Sequence, residues 1–83
     1  MSRAESEPTI HRFGEKLRVL RTQRGITLQQ LARALGLSAH GYISELETGK
    51  KIPTVEITLR AARFFQVSTD QLLKDELEVM EEK

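Results

Sequence analysis

Apolar residues recur every three or four positions through the first half of the chain, which is the spacing of one face of an α-helix. The first stripe consists of Ile10, Phe13, Leu17 and Leu20. The second consists of Leu28, Leu31, Ala32 and Leu35. Thr9 and Thr27 precede the stripes as candidate N-caps, and Gly25 and Gly36 follow them as stop signals. The pattern predicts two successive helices joined by a tight turn.

A third, shorter helix is predicted between Gly36 and Gly49. Only Ile43 and Leu46 give it an apolar face at helical spacing, and Ser38 or its neighbour is the candidate N-cap. Because few residues separate the second helix from the third, the two must cross steeply, as in a helix-turn-helix. The second helix then braces the third, whose N-terminal residues project outward.

Two further helices follow Pro53. Thr54 is the candidate N-cap of the fourth, and Ser68 or Thr69 begins the fifth, with Gln71 placed for a capping box if Ser68 is the cap. The expected core face of the fourth helix consists of Val55, Thr58, Leu59, Ala62 and Phe65. A second apolar line consists of Ile57, Ala61 and Phe64. No segment has the pattern of a strand, so the predicted fold class is all-α, a compact domain of five helices.

The second apolar line is more than one buried face requires, and another apolar stripe leads into the acidic C-terminus. Both features predict a surface on which two copies of the chain meet. The expected interface residues are Ile57, Phe64, Leu73, Leu77 and Met80. The predicted organisation is a flexible polar arm at residues 1–8, a helical domain at 9–73 and an acidic helical extension at 74–83.

The composition argues against several classes of protein. A chain of 83 residues buries about 60–65% of its unfolded surface, which leaves little room for an enclosed catalytic cavity. It has no cysteine, and its two histidines, His11 and His40, fall on different predicted helices. We therefore expect no enzyme, metal site or cofactor. No apolar run approaches the roughly 20 residues of a membrane span, which predicts a cytoplasmic protein.

Charge is distributed unevenly along the chain. Residues 1–63 carry eleven Lys and Arg against six Asp and Glu, whereas residues 64–83 carry two against six. A basic body with an acidic tail indicates an anionic partner for the body. Ordinary surface charge explains the same distribution almost as well.

Three segments, taken in order, resemble a known family. "GEKLRVLRTQRGITLQQLARALGLS", "YISELETGKKIPT" and "AARFFQVSTDQLL" are similar to the lambda-repressor/Cro-like helix-turn-helix regulators, also called the xenobiotic-response-element family. The similarity runs from about Arg12 to Leu73. It implies five helices, with the third in the major groove of double-stranded DNA, and a homodimer on a palindromic operator. The implied function is that of a nucleoid-associated prokaryotic transcriptional regulator, expected to be a repressor.

The resemblance also implies roles for individual residues. The implied base-reading residues are Ala39, His40, Gly41, Tyr42 and Glu45. The implied contacts to the DNA backbone are Thr27, Gln29, Ser38, Ser44, Thr48, Lys50 and Lys51. Arg21 and Glu47 match a partly buried ion pair between the first helix and the end of the third. Because the reading set contains no Arg, Gln or Asn, we expect modest direct readout supplemented by DNA shape.

One departure from the family's pattern lies at the start of the second helix. Leu28 stands where the family usually has a Gln that binds a phosphate. Leu28 has no polar group for that contact, so Gln29 or Gln30 is the candidate substitute.

A second departure is one extra residue between Gly36 and Ile43. Counting back from Ile43 makes Ala39 the N-cap of the third helix, with His40 the first helical residue. Counting forward from Gly36 instead makes Ser38 the N-cap and lengthens the helix by one residue. We favour Ser38, because its hydroxyl makes it chemically the better cap.

These two departures keep a second class of function open. In that alternative the chain is an adaptor or antitoxin whose acidic C-terminal helix binds a partner protein, with DNA binding secondary or lost. Salt-dependent retention on DNA distinguishes the two classes, because only a DNA binder releases counterions when it binds.

Overall fold

The computed structural model describes residues 10–79 and contains five helices in that range. They are α1 (Phe13–Arg24), α2 (Leu28–Ala34), α3 (Gly41–Glu47), α4 (Val55–Phe65) and α5 (Thr69–Leu73). Helix α1 packs against α3 and α5, α2 packs against α3, and α4 packs against α5. No strand occurs between residues 10 and 79, and the predicted all-α class with five helices is confirmed.

Side-chain caps begin three of the helices at the residues predicted from the sequence. At α2, the Thr27 hydroxyl accepts a hydrogen bond from the Gln30 amide, and the Gln30 side chain accepts one from the Thr27 amide. Ser68 and Gln71 form the same reciprocal capping box at α5. Thr54 caps α4 by accepting from a backbone amide one turn later. Each cap satisfies amides that have no partner within the helix.

Left-handed backbone conformations end the first three helices. Gly25, Gly36 and Gly49 have φ angles of 70°, 80° and 82°, which a side chain would disfavour. Gln66 ends α4 in the same conformation, with φ 58°. Each predicted stop glycine therefore lies one or two residues beyond the last helical residue, where it allows a sharp turn.

The core is a single apolar cluster to which all five helices contribute. Its members are Phe13, Leu17, Leu20, Leu31, Ala32, Leu35, Ile43, Leu46, Ile57, Ala61, Ala62, Phe65 and Leu72. Ile43 and Leu46, the two residues predicted to hold α3, are fully buried in it. Burial of each such side chain contributes about 1.5–3 kcal/mol relative to leaving it exposed.

The buried face of α4 differs from the prediction. Ile57 and Ala61, assigned to the spare apolar line, lie in the core, whereas Val55 is 86% exposed and Leu59 is 44% exposed. Thr58, Ala62 and Phe65 of the predicted core face are buried as expected, so the buried side of α4 combines members of both apolar lines. Ile57 was therefore wrongly assigned to a dimer interface, because its side chain is already covered within one chain.

Helix α1 begins at Phe13, later than the pattern starting after Thr9 predicted; Thr9 itself lies outside the described residues. The N-cap residue is Arg12, and no side chain of the helix's own first turn caps it. The backbone just before the helix is instead held by a residue from the far end of the chain. The Asp75 carboxylate accepts hydrogen bonds from the amides of His11 and Arg12 at 3.0–3.1 Å.

Residues 74–79 form turns instead of the predicted helical extension; we call them the C-terminal strap. In a continued α5 the Gln71 carbonyl would accept from the Asp75 amide, but it accepts from the Lys16 ammonium at 2.6 Å. The Arg12 guanidinium also binds both carboxylate oxygens of Glu78, at 3.0 and 3.1 Å. These contacts fold the strap back over the start of α1. Met80 lies outside the described residues.

Lys16 is a charged side chain with only 1% exposure. Its ammonium donates to the carbonyls of Gln71 and Lys74, the last turn of α5. Burial, and then the positive charge of Arg12, lower the pKa of Lys16. The two carbonyls supply the polar partners without which a buried ammonium would strongly destabilise the fold.

Gly14 sets how closely α1 approaches α3. A Cβ at this position would collide with the backbone carbonyl of Leu46 and lie 2.9 Å from that of Glu47. Both carbonyls are backbone atoms of the last turn of α3. They cannot move aside as the end of a flexible side chain could. The pattern along the chain did not predict this role; its only signal is a glycine inside a helical stripe.

We predict that Gly14→Ala lowers the free energy of unfolding by about 1–3 kcal/mol or more, because the backbones of α1 and α3 must separate. Urea unfolding followed by circular dichroism measures the change. The matched control is Gly41→Ala, where an added Cβ meets no atom within 4 Å. The control is expected to be neutral or stabilising by up to about 1 kcal/mol. Equal midpoints for the two variants would contradict the close approach.

We predict that Asp75→Asn lowers the thermal midpoint at pH 7 and that this difference shrinks in acid. Partial burial raises the pKa of Asp75, but the amides of His11 and Arg12 outweigh it, so the net pKa is lowered. A lowered carboxylate pKa stabilises the fold above the unfolded value of about 3.9, and the effect is lost as pH falls through the native value. Melting curves between pH 7 and pH 2.5 test this, with exposed Glu76→Gln as the control. A difference that does not change with pH would contradict it.

Candidate nucleic-acid interface

The end of α3 is fixed to α1 by an ion pair. The Arg21 guanidinium binds the Glu47 carboxylate through two hydrogen bonds, Nε to Oε2 at 2.6 Å and Nη2 to Oε1 at 3.1 Å. Arg21 also donates to the Ile26 carbonyl at 2.9 Å, which includes the α1–α2 turn in the same network. The Glu47 side chain is 6% exposed, and its hydrogen bonds raise the pKa of Arg21. The structure thus brings together the two residues matched by the resemblance.

Helix α3 begins later than either of the two alternatives drawn from the sequence. Its first residue is Gly41 and its N-cap is His40, which makes no side-chain capping bond. Both Ser38, which we favoured, and Ala39 are therefore wrong as N-caps. The Leu37 amide still closes the end of α2, and the extra residue is absorbed in the connection that follows instead of lengthening α3.

The five candidate base-reading residues fall into two groups. Ala39, His40 and Gly41 are exposed at the start of α3. Tyr42 is half-buried and packs against the core, so its ring has a structural role as well. Glu45 is also half-buried, and its carboxylate lies 3.6 Å from a lysine ammonium in the loop after α3. The exposed set available for DNA is thus smaller than the sequence suggested.

The start of α2 decides which residue can replace the family's phosphate-binding Gln. Leu28 is half-buried and packs against the core. The Gln30 side chain is engaged in the capping box with Thr27. Gln29 is exposed, and of the two candidate substitutes it is the one whose side chain is not committed to capping.

The loop after α3 carries the remaining candidate backbone contacts. Lys50 and Lys51 are exposed, and their amides both donate to the Glu45 carbonyl, which fixes the loop against α3. The Thr48 hydroxyl donates to the Ser44 carbonyl at 3.0 Å. The two lysines therefore place positive charge beside the C-terminal end of α3.

A cleft of about 260 Å³ lies between α2 and the α2–α3 connection; we call it the turn cleft. It is lined by Gln29, Ala32, Arg33, Leu37, Ser38, Ala39 and His40. Arg33, an exposed residue in the last turn of α2, was not among the candidate DNA contacts predicted from the sequence. Its place beside Gln29 and His40 depends on the path of the connection, which the sequence pattern did not give.

An apolar groove of about 330 Å³ lies between α4 and α5; we call it the α4 groove. It is lined by Ile10, Pro53, Val55, Thr58, Leu59, Thr69 and Leu73. Of the predicted dimer residues, Leu73 borders this groove and Leu77 is 37% exposed. Phe64 is half-buried beneath the Arg24 guanidinium, which lies 4.9 Å from the ring centroid. Among the predicted dimer residues within 10–79, Leu73 is thus the one that lines the α4 groove.

Within residues 10–79, no group of three or more His, Cys, Asp or Glu side chains is arranged to hold a metal ion. None of the helices in this range is both long enough and apolar enough to cross a membrane.

Comparison with known proteins identifies the same class of regulator in sequence and in structure. The family described as "Helix-turn-helix domain" matches residues 12–74. The HTH-type transcriptional activator BcrR of Enterococcus faecalis is 42% identical over 64 residues, which are 77% of this chain and 31% of BcrR. The prophage-derived regulator YonR of Bacillus subtilis is 39% identical over 62 residues, 75% of this chain and 56% of YonR. The chain thus spans about a third to just over half the length of these relatives.

The P22 c2 repressor, solved in complex with a synthetic operator, has a similar fold. Its TM-score is 0.71 at 30% identity, covering 77% of this chain and 96% of that chain. The lambda-repressor-like helical architecture implied by the resemblance is therefore confirmed. The relatives and neighbours named here are transcriptional regulators, not enzymes.

We predict that Glu47→Ala lowers the free energy of unfolding by about 3–5 kcal/mol, because it leaves the Arg21 guanidinium partly buried without its carboxylate. Denaturant unfolding measures the loss. The matched control is Glu56→Ala, which breaks the exposed pair with Arg60, whose side chains are 72% and 46% exposed. The control is expected to change stability by less than about 1 kcal/mol. An equal, small effect from both substitutions would contradict a structural role for Glu47.

Proposed function

The chain belongs to the helix-turn-helix domain family, and we propose that it binds double-stranded DNA with α3 in the major groove. The observation that carries the proposal is the division of α3 into two sides. Ile43 and Leu46 anchor one side in the core, while Ala39, His40 and Gly41 stay exposed at the start of the helix. A helix about 10–12 Å across fits the major groove of B-DNA, where base edges are distinguishable.

Direct base readout rests mainly on His40 in this proposal. Its imidazole suits the guanine O6 and N7 acceptors, and Gly41 beside it lets the backbone approach the bases closely. Tyr42 and Glu45 contribute from half-buried positions, Tyr42 towards a thymine methyl and Glu45 towards cytosine N4. Because so few side chains reach the bases, DNA shape supplies part of the specificity.

Backbone contacts set the position of α3 on the duplex. Thr27 and Gln29 at the start of α2 and Ser38 before α3 form one group. Ser44, Thr48, Lys50 and Lys51 form the other, and both lysines are exposed. Such contacts position the protein and supply the salt-dependent part of its affinity.

The bound form is a homodimer on a palindromic operator, with the α4 groove at its interface. The Val55 and Leu59 side chains have larger exposed fractions than those of Phe64, Leu73 and Leu77, and Leu73 lines the same groove. Phe64, Leu77 and Met80 belong to the same proposal as flanking residues. An exposed apolar patch of this kind is typical of a protein–protein contact.

The biological role that fits these features is regulation of transcription by operator occupancy. Repression needs only that the bound dimer occlude the promoter, and the P22 c2 repressor in its operator complex is a structural neighbour. A nucleoid-associated position in the cytoplasm follows from binding the bacterial chromosome. In the acidic strap, the Asp75 carboxylate accepts a hydrogen bond from the His11 amide, and the Glu78 carboxylate pairs with the Arg12 guanidinium. These carboxylates are already bound within the chain, which disfavours the alternative of a partner-binding acidic helix.

Selection of bound duplexes from a random pool, followed by a salt titration, tests the proposal. We predict a palindrome whose half-sites are about 10 base pairs apart, or a multiple of that distance. The logarithm of the affinity should fall linearly with the logarithm of the salt concentration, with a slope near −0.9 for each phosphate contacted.

Sedimentation equilibrium with and without the selected duplex measures the stoichiometry, and Leu59→Asp is expected to weaken the dimer. The control is Val19→Asp, which replaces an aliphatic residue of similar exposure (36%) on α1, away from the α4 groove, and is expected to leave the dimer unchanged. Failure to enrich any duplex, together with binding that does not depend on salt, would contradict DNA binding. Enrichment of a single, non-repeated half-site would contradict only the dimer.

A further inference from the structure

The start of α2 lacks the side chain with which the resembled family binds a phosphate. Leu28 occupies that position, and its side chain packs against the core. The Gln30 side chain is held by the Thr27 amide. A backbone contact on this side of α3 must therefore come from elsewhere on α2 or from the connection to α3.

The turn cleft is placed to supply that contact. Gln29 and Arg33 lie one helical turn apart on α2, and His40 at the start of α3 faces the same cleft of about 260 Å³. The Ser38 hydroxyl completes a lining that offers four kinds of polar donor. His40 is also the main proposed base reader, so the cleft opens beside the reading side of α3.

Arg33 gives the turn cleft its positive charge. Several other arginines are engaged with protein groups: Arg12 with Glu78, Arg21 with Glu47, Arg24 with Phe64 and Arg60 with Glu56. Between residues 10 and 79, the Arg33 side chain has no comparable hydrogen bond or ion pair, and it is exposed. A guanidinium presents its donors in a planar fork that matches two phosphate oxygens.

We propose that the turn cleft binds a phosphodiester of the DNA backbone, with Arg33 as its principal cationic ligand and Gln29 and Ser38 as additional donors. The inference rests on the proposed DNA binding and deepens it by assigning one phosphate to one side chain. Arg33 lies about one and a half helical turns beyond Leu28, so α2 binds the backbone near its C-terminal end as well as through Gln29 in its first turn. Arg33 is then a positioning residue, which sets the register of α3 without reading sequence.

The experiment compares wild type, Arg33→Gln and Arg63→Gln on the selected duplex and on a mixed-sequence duplex of equal length, by fluorescence anisotropy between 50 and 200 mM salt. Arg63 is the matched control, because both arginines are exposed and lie in the last turn of their helices. Glutamine removes the charge and keeps a polar side chain, and thermal melting checks that each variant is folded.

Arg33→Gln is expected to weaken binding to both duplexes by the same factor and to reduce the size of the salt slope by about 0.9. The ratio of wild-type to variant affinity then falls about 3.5-fold between 50 and 200 mM salt. Arg63→Gln should match wild type. A scan of the selected duplex with single neutral methylphosphonates locates the contact, since one position should abolish the difference between wild type and Arg33→Gln.

Two results would overturn the assignment while leaving DNA binding intact. In the first, both variants bind like wild type with unchanged slopes. In the second, Arg33→Gln weakens binding to the selected duplex alone, which would make Arg33 a base reader. If wild type itself binds neither duplex, the proposed function fails, and the assignment fails with it.

Discussion

The attachment of the last turn of α3 to α1 is the constraint on which the rest of this structure depends. Two contacts form it: the Arg21–Glu47 ion pair, and the direct approach of the α3 backbone to Gly14. Helix α3 has seven residues, and a helix that short is not stable by itself in water. Both the formation of α3 and its orientation therefore depend on its contacts with α1.

This arrangement separates the support of α3 from its exposed chemistry. The supporting contacts gather at the C-terminal end of the helix, where Leu46 enters the core and Glu47 pairs with Arg21. The N-terminal end, from Ala39 to Gly41, carries no side-chain cap and remains exposed. A rigid base with an uncommitted tip suits a recognition helix, because tip residues can change while the fold stays intact.

Sequence reasoning succeeded where a local rule determines the structure. The caps at Thr27, Thr54 and Ser68 and the glycine stops depend on a few neighbouring residues, and the sequence predicted them correctly. The Arg21–Glu47 contact came from the resemblance, because nothing local joins residues 26 positions apart. The predicted roles of the exposed residues in DNA binding remain predictions.

The errors share a different physical cause, which is competition decided by distant contacts. Two apolar lines on α4 were nearly equivalent, and tertiary packing placed Ile57 inside and Leu59 outside. The strap continues the helical pattern in sequence, but Lys16 captures the carbonyl that the next turn of α5 would need. Helix α3 begins later than predicted, because an extra residue destabilises a turn less than it destabilises a packed helix.

The most direct test of the recognition surface is amide chemical-shift mapping of the isotope-labelled protein during titration with its selected duplex. If α3 enters the major groove, the largest chemical-shift changes fall at residues 38–45 and 48–51. The amide shifts of the strap at 74–79 then stay close to their values in the free protein. Changes concentrated on the strap and α4, with α3 unaffected, would contradict the assignment of α3 as the DNA-reading element.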